Sequence, residues 1–189
     1  MDLQNRLAAR VTAFLLVAAS ILISHSSVAA QKRGRAIRPA PAVKPVDVAG
    51  LSALLKRENA KPLLVNYWAT WCEPCREEFP DLVKIDSAYR SKGLDFIAVT
   101  LDDLADIKKG VPRFLRQMHA HMPVYLLNMS DPEPAIRMID PNWGGALPAT
   151  FLYNGKGEVV YKSLGRVKVD ELRAAIEKLV GAETESRRQ

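Results

Sequence analysis

Cysteine is nearly absent. The 189-residue chain has two, Cys72 and Cys75, both in the run Trp71-Cys72-Glu73-Pro74-Cys75. Two are too few for a disulfide-stapled scaffold, so the pair reads as redox-active or metal-binding. Histidine is scarce too, and no second Cys/His pair has the spacing of a structural zinc site. Acid is missing from one stretch: residues 31–46 hold Lys32, Arg33, Arg35, Arg38 and Lys44 but no Asp or Glu. The net charge of +6 belongs to that stretch and the residues before it, because everything from Asp47 onward sums to zero. The domain itself therefore has no electrostatic basis for nucleic-acid binding. No internal repeat is visible, and no apolar run reaches the roughly 20 residues of a membrane span.

What is present at the N-terminus is a leader. Arg6 and Arg10 precede the apolar run Val11 to Ile23, broken only by Thr12 and Ser20, and Val28-Ala29-Ala30 then offers small residues before Gln31. Residues 1–30 read as a signal peptide, cleaved or kept as an uncleaved anchor. Either way the domain is expected outside the cytoplasm, in the periplasm or an equivalent oxidising compartment, with a membrane tether if the leader stays. Residues 31–46, carrying Pro39, Pro41 and Pro45, read as a basic extended linker. The folded domain is expected over 47–181, with a polar tail over 182–189.

Within the domain, Asp47 caps a short helix carrying Leu51, Leu54 and Leu55. Leu63–Trp68 and Leu94–Leu101 read as buried strands, separated by a helix that starts near Glu73 and contains Pro80. Ile107, Val111, Leu115 and Met118 mark another helix, followed by a strand at 124–127 and a short helix at 133–139. Asn154-Gly155-Lys156-Gly157 joins two strands as a hairpin in which Asn-Gly tolerates positive φ, and Leu172, Ile176 and Leu179 give a final helix. Strands alternating with helices, then a hairpin, define an α/β domain with a central mixed sheet.

Two segments carry a resemblance. Leu64-Val65-Asn66-Tyr67-Trp68-Ala69-Thr70-Trp71-Cys72-Glu73-Pro74-Cys75-Arg76-Glu77-Glu78-Phe79-Pro80 and, about seventy residues later, Gly145-Ala146-Leu147-Pro148-Ala149-Thr150-Phe151-Leu152 resemble the TlpA/ResA-like branch of the thioredoxin superfamily. The resemblance spans about residues 47–181. It implies a thioredoxin-like fold, helices on both faces of the sheet, and thiol–disulfide exchange. Cys72, at an exposed helix start where thiolate is favoured, would be the nucleophile, and Cys75 would resolve the mixed disulfide. Glu73 and Pro74 lie between the sulfurs; the carboxylate disfavours a second negative charge on Cys72, which points toward a reductant. Glu78, one turn beyond Cys75, matches a glutamate that moves protons in ResA-like members. Thioredoxin itself has a buried acid where this chain has Asn66, which leaves Glu78 as the titratable group. Pro148 matches the superfamily's cis-proline and would expose the Leu147 backbone to an extended substrate. Trp71 is expected at the rim of the site, Trp68 in the core, and Trp143 either in the core or beside the substrate face.

The expected activity is thus extracytoplasmic reduction of disulfides in partner proteins, in cytochrome c maturation or metal-site assembly. The resemblance implies a membrane-embedded thiol donor for the electrons and no organic cofactor. One segment points elsewhere. Met118-His119-Ala120-His121-Met122 supplies thioether and imidazole groups, and with Cys72 and Cys75 it keeps open a copper-handling alternative in which Met118 and Met122 share a helix face. A peroxidase reading lacks a separate upstream cysteine.

Overall fold

Successive strand residues point to opposite faces of a sheet, and here one fully buried six-residue strand, apolar but for Asn66, supplies both cores. The computed structural model describes residues 40–56 and 61–186, with side chains through Ala182. In chain order the elements are β1 (Val43–Val46), α1 (Val48–Leu55), β2 (Leu63–Trp68), α2 (Glu73–Tyr89), β3 (Asp95–Thr100) and α3 (Gly110–Gln117). They continue with β4 (Val124–Leu127), α4 (Glu133–Ile139), β5 (Ala149–Tyr153), β6 (Val159–Leu164) and α5 (Val169–Ser186). One sheet runs β1-β4-β3-β2-β5-β6. β1, β4, β3 and β2 are mutually parallel, and β5 and β6 are antiparallel to their neighbours. This is the thioredoxin-like α/β fold expected.

All six residues of β2 are buried. Leu64 and Trp68 pack with Phe79, Leu82 and Ile85 of α2, Phe114 and Leu115 of α3, and Leu172 and Ile176 of α5. Leu63, Val65 and Tyr67 face the other way, onto Leu51 of α1 and Ala135, Ile136 and Ile139 of α4. Helices therefore cover both faces. Truncating a fully buried aromatic such as Phe79 to alanine would cost about 3–5 kcal/mol.

Several boundaries move. Val43–Val46, assigned to the linker, is the edge strand β1, in register with Val124–Leu127. Proline has no N–H for a ladder but is tolerated at an edge, which is where Pro45 sits. The terminal helix runs on through Ser186, into the expected polar tail. The helix expected around Ile107–Met118 divides into a 3-10 turn, Leu104–Lys108, and α3, with Pro112 in the first turn of α3 where a missing N–H needs no intrahelical partner. In the hairpin the positive φ falls on Gly157 (83°), while the Asn154 side chain accepts hydrogen bonds from the Lys156 and Glu158 N–H groups, each at 3.0 Å. Among the described residues no helix is long and apolar enough to cross a membrane. The proposed leader and residues 31–39 lie outside the described residues.

Candidate active site

The two cysteines sit where β2 hands over to α2. Cys72 is the N-cap of α2, and its sulfur accepts a hydrogen bond from the Cys75 N–H at 3.3 Å. A helix start concentrates unpaired N–H groups and the positive end of the helix dipole, which favours sulfur as thiolate. The two sulfurs form a disulfide, with Cα atoms 5.3 Å apart. Cys72 retains slight exposure and Cys75 has none, the asymmetry needed for an attacking and a resolving thiol. Around them Trp71 stands 68% exposed, and Glu73 and Pro74 are exposed in the first turn.

Cys72 is held from both sides. Its N–H donates to the Ala69 carbonyl at 3.2 Å. The preceding Thr70 is clamped by Asp102, whose carboxylate accepts the Thr70 N–H (3.0 Å to Oδ2), the Thr70 hydroxyl and the Thr100 hydroxyl. Asp102 is only 4% exposed and comes from the loop after β3, the strand beside β2. Nothing in the sequence singles it out. No local pattern reveals a contact that depends on two parallel strands ending side by side.

Glu78 lies below the dithiol on the same helix. It is 3% exposed. Its Oε1 accepts from Asn66 Nδ2 at 3.0 Å, and its Oε2 accepts from the Val167 N–H at 2.9 Å. Asn66 Nδ2 also donates to Thr150 Oγ1 at 3.0 Å, while Asn66 Oδ1 is buried with no partner among the described residues. Burial pushes the Glu78 carboxyl above its ordinary pKa, against the opposing pull of the Val167 N–H, the Asn66 amide and the Arg166 charge. Asn66, read as the departure from thioredoxin, thus contacts the Glu78 carboxylate directly. Val167 and Thr150 were not singled out from sequence, because each meets the site from far along the chain.

Pro148 is buried and joined to Leu147 by a cis peptide bond. Its carbonyl accepts the Gly165 N–H at 2.8 Å. Leu147 is half-buried and packs against the cluster that contains both cysteines. Among the described residues its own N–H and C=O make no hydrogen bond. Trp68 is fully buried, and Trp143 is a core residue at 3% exposure.

The Met/His segment divides. α3 ends at Gln117, so Met118 and Met122 do not share a helix face; Met122 is fully buried in the core, and His119 is exposed at φ 54°. Among the described residues no group of three His, Cys, Asp or Glu side chains is placed to hold a metal ion.

A cysteine pair at a helix start, on this sheet and beside a cis-proline, defines a thiol–disulfide oxidoreductase of the thioredoxin-like class. The chain belongs to the Redoxin family, whose model matches residues 36–176. It is 26% identical over 178 residues to the thiol-disulfide oxidoreductase ResA of Bacillus cereus, covering 93% of this chain and 98% of that protein. ResA of Bacillus subtilis is 31% identical over 114 residues, 60% of this chain and 59% of that one. A thioredoxin-family thiol:disulfide interchange protein of known structure from Chlorobium tepidum is 27% identical with a TM-score of 0.55, covering 75% of this chain and 95% of that one.

Proposed function

We propose that the chain reduces disulfides in partner proteins outside the cytoplasm. The Cys72 thiolate attacks one sulfur of a substrate disulfide, and the other substrate sulfur leaves as a thiolate and takes up a proton. Cys75 then attacks Cys72, releasing the substrate dithiol and closing the Cys72–Cys75 disulfide. Glu78 takes the proton that Cys75 sheds. The substrate lies extended beside Leu147-Pro148, with Trp71, Glu73 and Pro74 at the rim. A membrane-embedded thiol donor restores the dithiol, and the leader over 1–30 directs export and, if uncleaved, tethers the domain. The substrates are cysteine pairs awaiting haem or metal, as in cytochrome c maturation or metal-site assembly.

The observation that carries this reading is Glu78, a carboxylate buried one turn behind Cys75 with a raised pKa. Such a group keeps its proton to higher pH than an exposed carboxylate and can serve as a general acid or base. Glu73 in the first turn of α2 supports the reducing direction, since its charge opposes the Cys72 thiolate. The reduction potential tests direction. A value near the thioredoxin figure of about −270 mV is expected, and one near the strongly oxidising figure of about −120 mV would overturn the assignment.

A further inference from the structure

The segment between α4 and β5 carries the Leu147 backbone, and it is fixed at identifiable points. Asp140 caps the start: its Oδ1 accepts the Asn142 N–H at 2.8 Å, and its Oδ2 accepts from Lys162 Nζ of β6 at 2.7 Å. At the far end the Pro148 carbonyl accepts the Gly165 N–H. Between them Gly145 turns the chain at φ 79°, in a place where a Cβ would lie 2.7 Å from Ile136 Cδ1. One side chain holds the residues just before Leu147: the Trp143 indole Nε1–H donates to the Ala146 carbonyl at 2.8 Å.

That bond reaches further than Ala146. The Ala146 C=O and the Leu147 N–H belong to one planar peptide unit, and in a trans unit the two point in opposite directions. Fixing the carbonyl toward the indole therefore aims the Leu147 N–H away from it. Trp143 is an anchored reference, 3% exposed, with its ring 5.0 Å from Tyr67 and 5.9 Å from Phe151. Donation to the carbonyl also polarises the peptide and strengthens its N–H as a donor.

We infer that Trp143 is a positioning residue for substrate, acting through the Ala146–Leu147 peptide to orient the Leu147 N–H toward an extended peptide. The inference rests on the reading above that substrate pairs with the Leu147-Pro148 segment. Trp143 touches neither sulfur and supplies no proton. Its role is to organise one hydrogen-bonding group before substrate arrives, which favours extended polypeptide disulfides over small ones.

The test replaces the donor and keeps the ring. Trp143→Phe is the simple variant, and substitution of Trp143 by benzothienylalanine, with sulfur in place of the indole N–H, keeps the packing. Reduction kinetics are compared for a disulfide in an extended peptide and for glutathione disulfide, together with the reduction potential. The expected result is a rise in KM for the peptide of about three- to tenfold, the size of one hydrogen bond. The kcat, the glutathione disulfide rate and the potential should be unchanged. An unchanged peptide KM in the benzothienylalanine protein would overturn the inference and leave Trp143 a packing residue. A parallel loss for both disulfides would overturn it as well. If the unaltered protein shows no preference for the peptide, the substrate-pairing reading falls first, and that outcome is distinct from either of the others.

Discussion

Replacing Glu78 separates its burial from its chemistry. In Glu78→Ala the Val167 N–H loses its acceptor and Asn66 keeps only its bond to Thr150. An orphaned buried donor costs about 1–3 kcal/mol, and with Asn66 partly satisfied the two together should cost about 2–4 kcal/mol of stability. Glu78→Gln should cost less, because the Val167 N–H keeps an acceptor. The glutamine oxygen accepts the Val167 N–H, and its NH2 needs an acceptor where Asn66 now presents an NH2. A half-turn of the Asn66 amide supplies that acceptor and lets the Thr150 hydroxyl donate to the same oxygen. The Asn66 NH2 then takes the buried place of Oδ1, which has no partner among the described residues, so one orphan is exchanged for another.

The two proteins should also differ in pH dependence. The Glu78 pKa is raised in the native state, so the native state holds this proton more tightly than the unfolded chain. Its contribution is fully present below the unfolded glutamate value of about 4.3 and is lost as pH rises through the native value. Glutamine does not titrate. Urea unfolding of the oxidised proteins in steps from about pH 4 to about pH 9 should therefore show Glu78→Gln gaining on the unaltered protein as pH rises, then levelling. A stability difference that is flat, or that moves the other way, would refute the buried-acid assignment. Turnover reports the chemistry separately: both variants should lose about 10²–10⁴ in the rate of disulfide reduction, the usual worth of a general acid–base group.

Other sites give sharp expectations. Asp102→Ala should leave the Thr70 N–H unpaired and destabilise the oxidised protein by about 1–3 kcal/mol in chemical unfolding, whereas Asp102→Asn keeps an acceptor for that N–H and should recover most of it. Equal losses in both would mean that the charge, rather than the geometry, matters there. Gly145→Ala places a side chain at φ 79° and should lower stability by about 1–2 kcal/mol in thermal unfolding, while Gly144→Ala, with open space around it, should be much milder.

Much of this was legible because the signals are local. Asp47 does cap α1, accepting the Gly50 N–H at 2.8 Å, and α2 begins at Glu73 directly behind Cys72. The alternation of apolar segments placed β2 through α5 within a few residues. The cis bond at Pro148 came only through the family resemblance. β1 was missed because four residues including a proline look like linker until β4 is beside them; the Val46 carbonyl then accepts the Asn128 N–H at 2.8 Å. Asp102 lies 32 residues from Thr70, and Val167 lies 89 from Glu78. Periodicity carries no information about pairs so distant. It failed in another way at Met118 and Met122, where an i, i+4 spacing looked helical but the helix had already ended.

The order of the two cysteines is the point on which the mechanism stands. With Cys75→Ser and Cys72 reduced, an extended peptide disulfide should be captured as a stable mixed disulfide at Cys72, identified by mass after proteolysis. The same peptide offered to Cys72→Ser should leave Cys75 free, because Cys75 is fully buried. Capture at Cys75 in preference to Cys72 would contradict the assignment of nucleophile and resolving thiol.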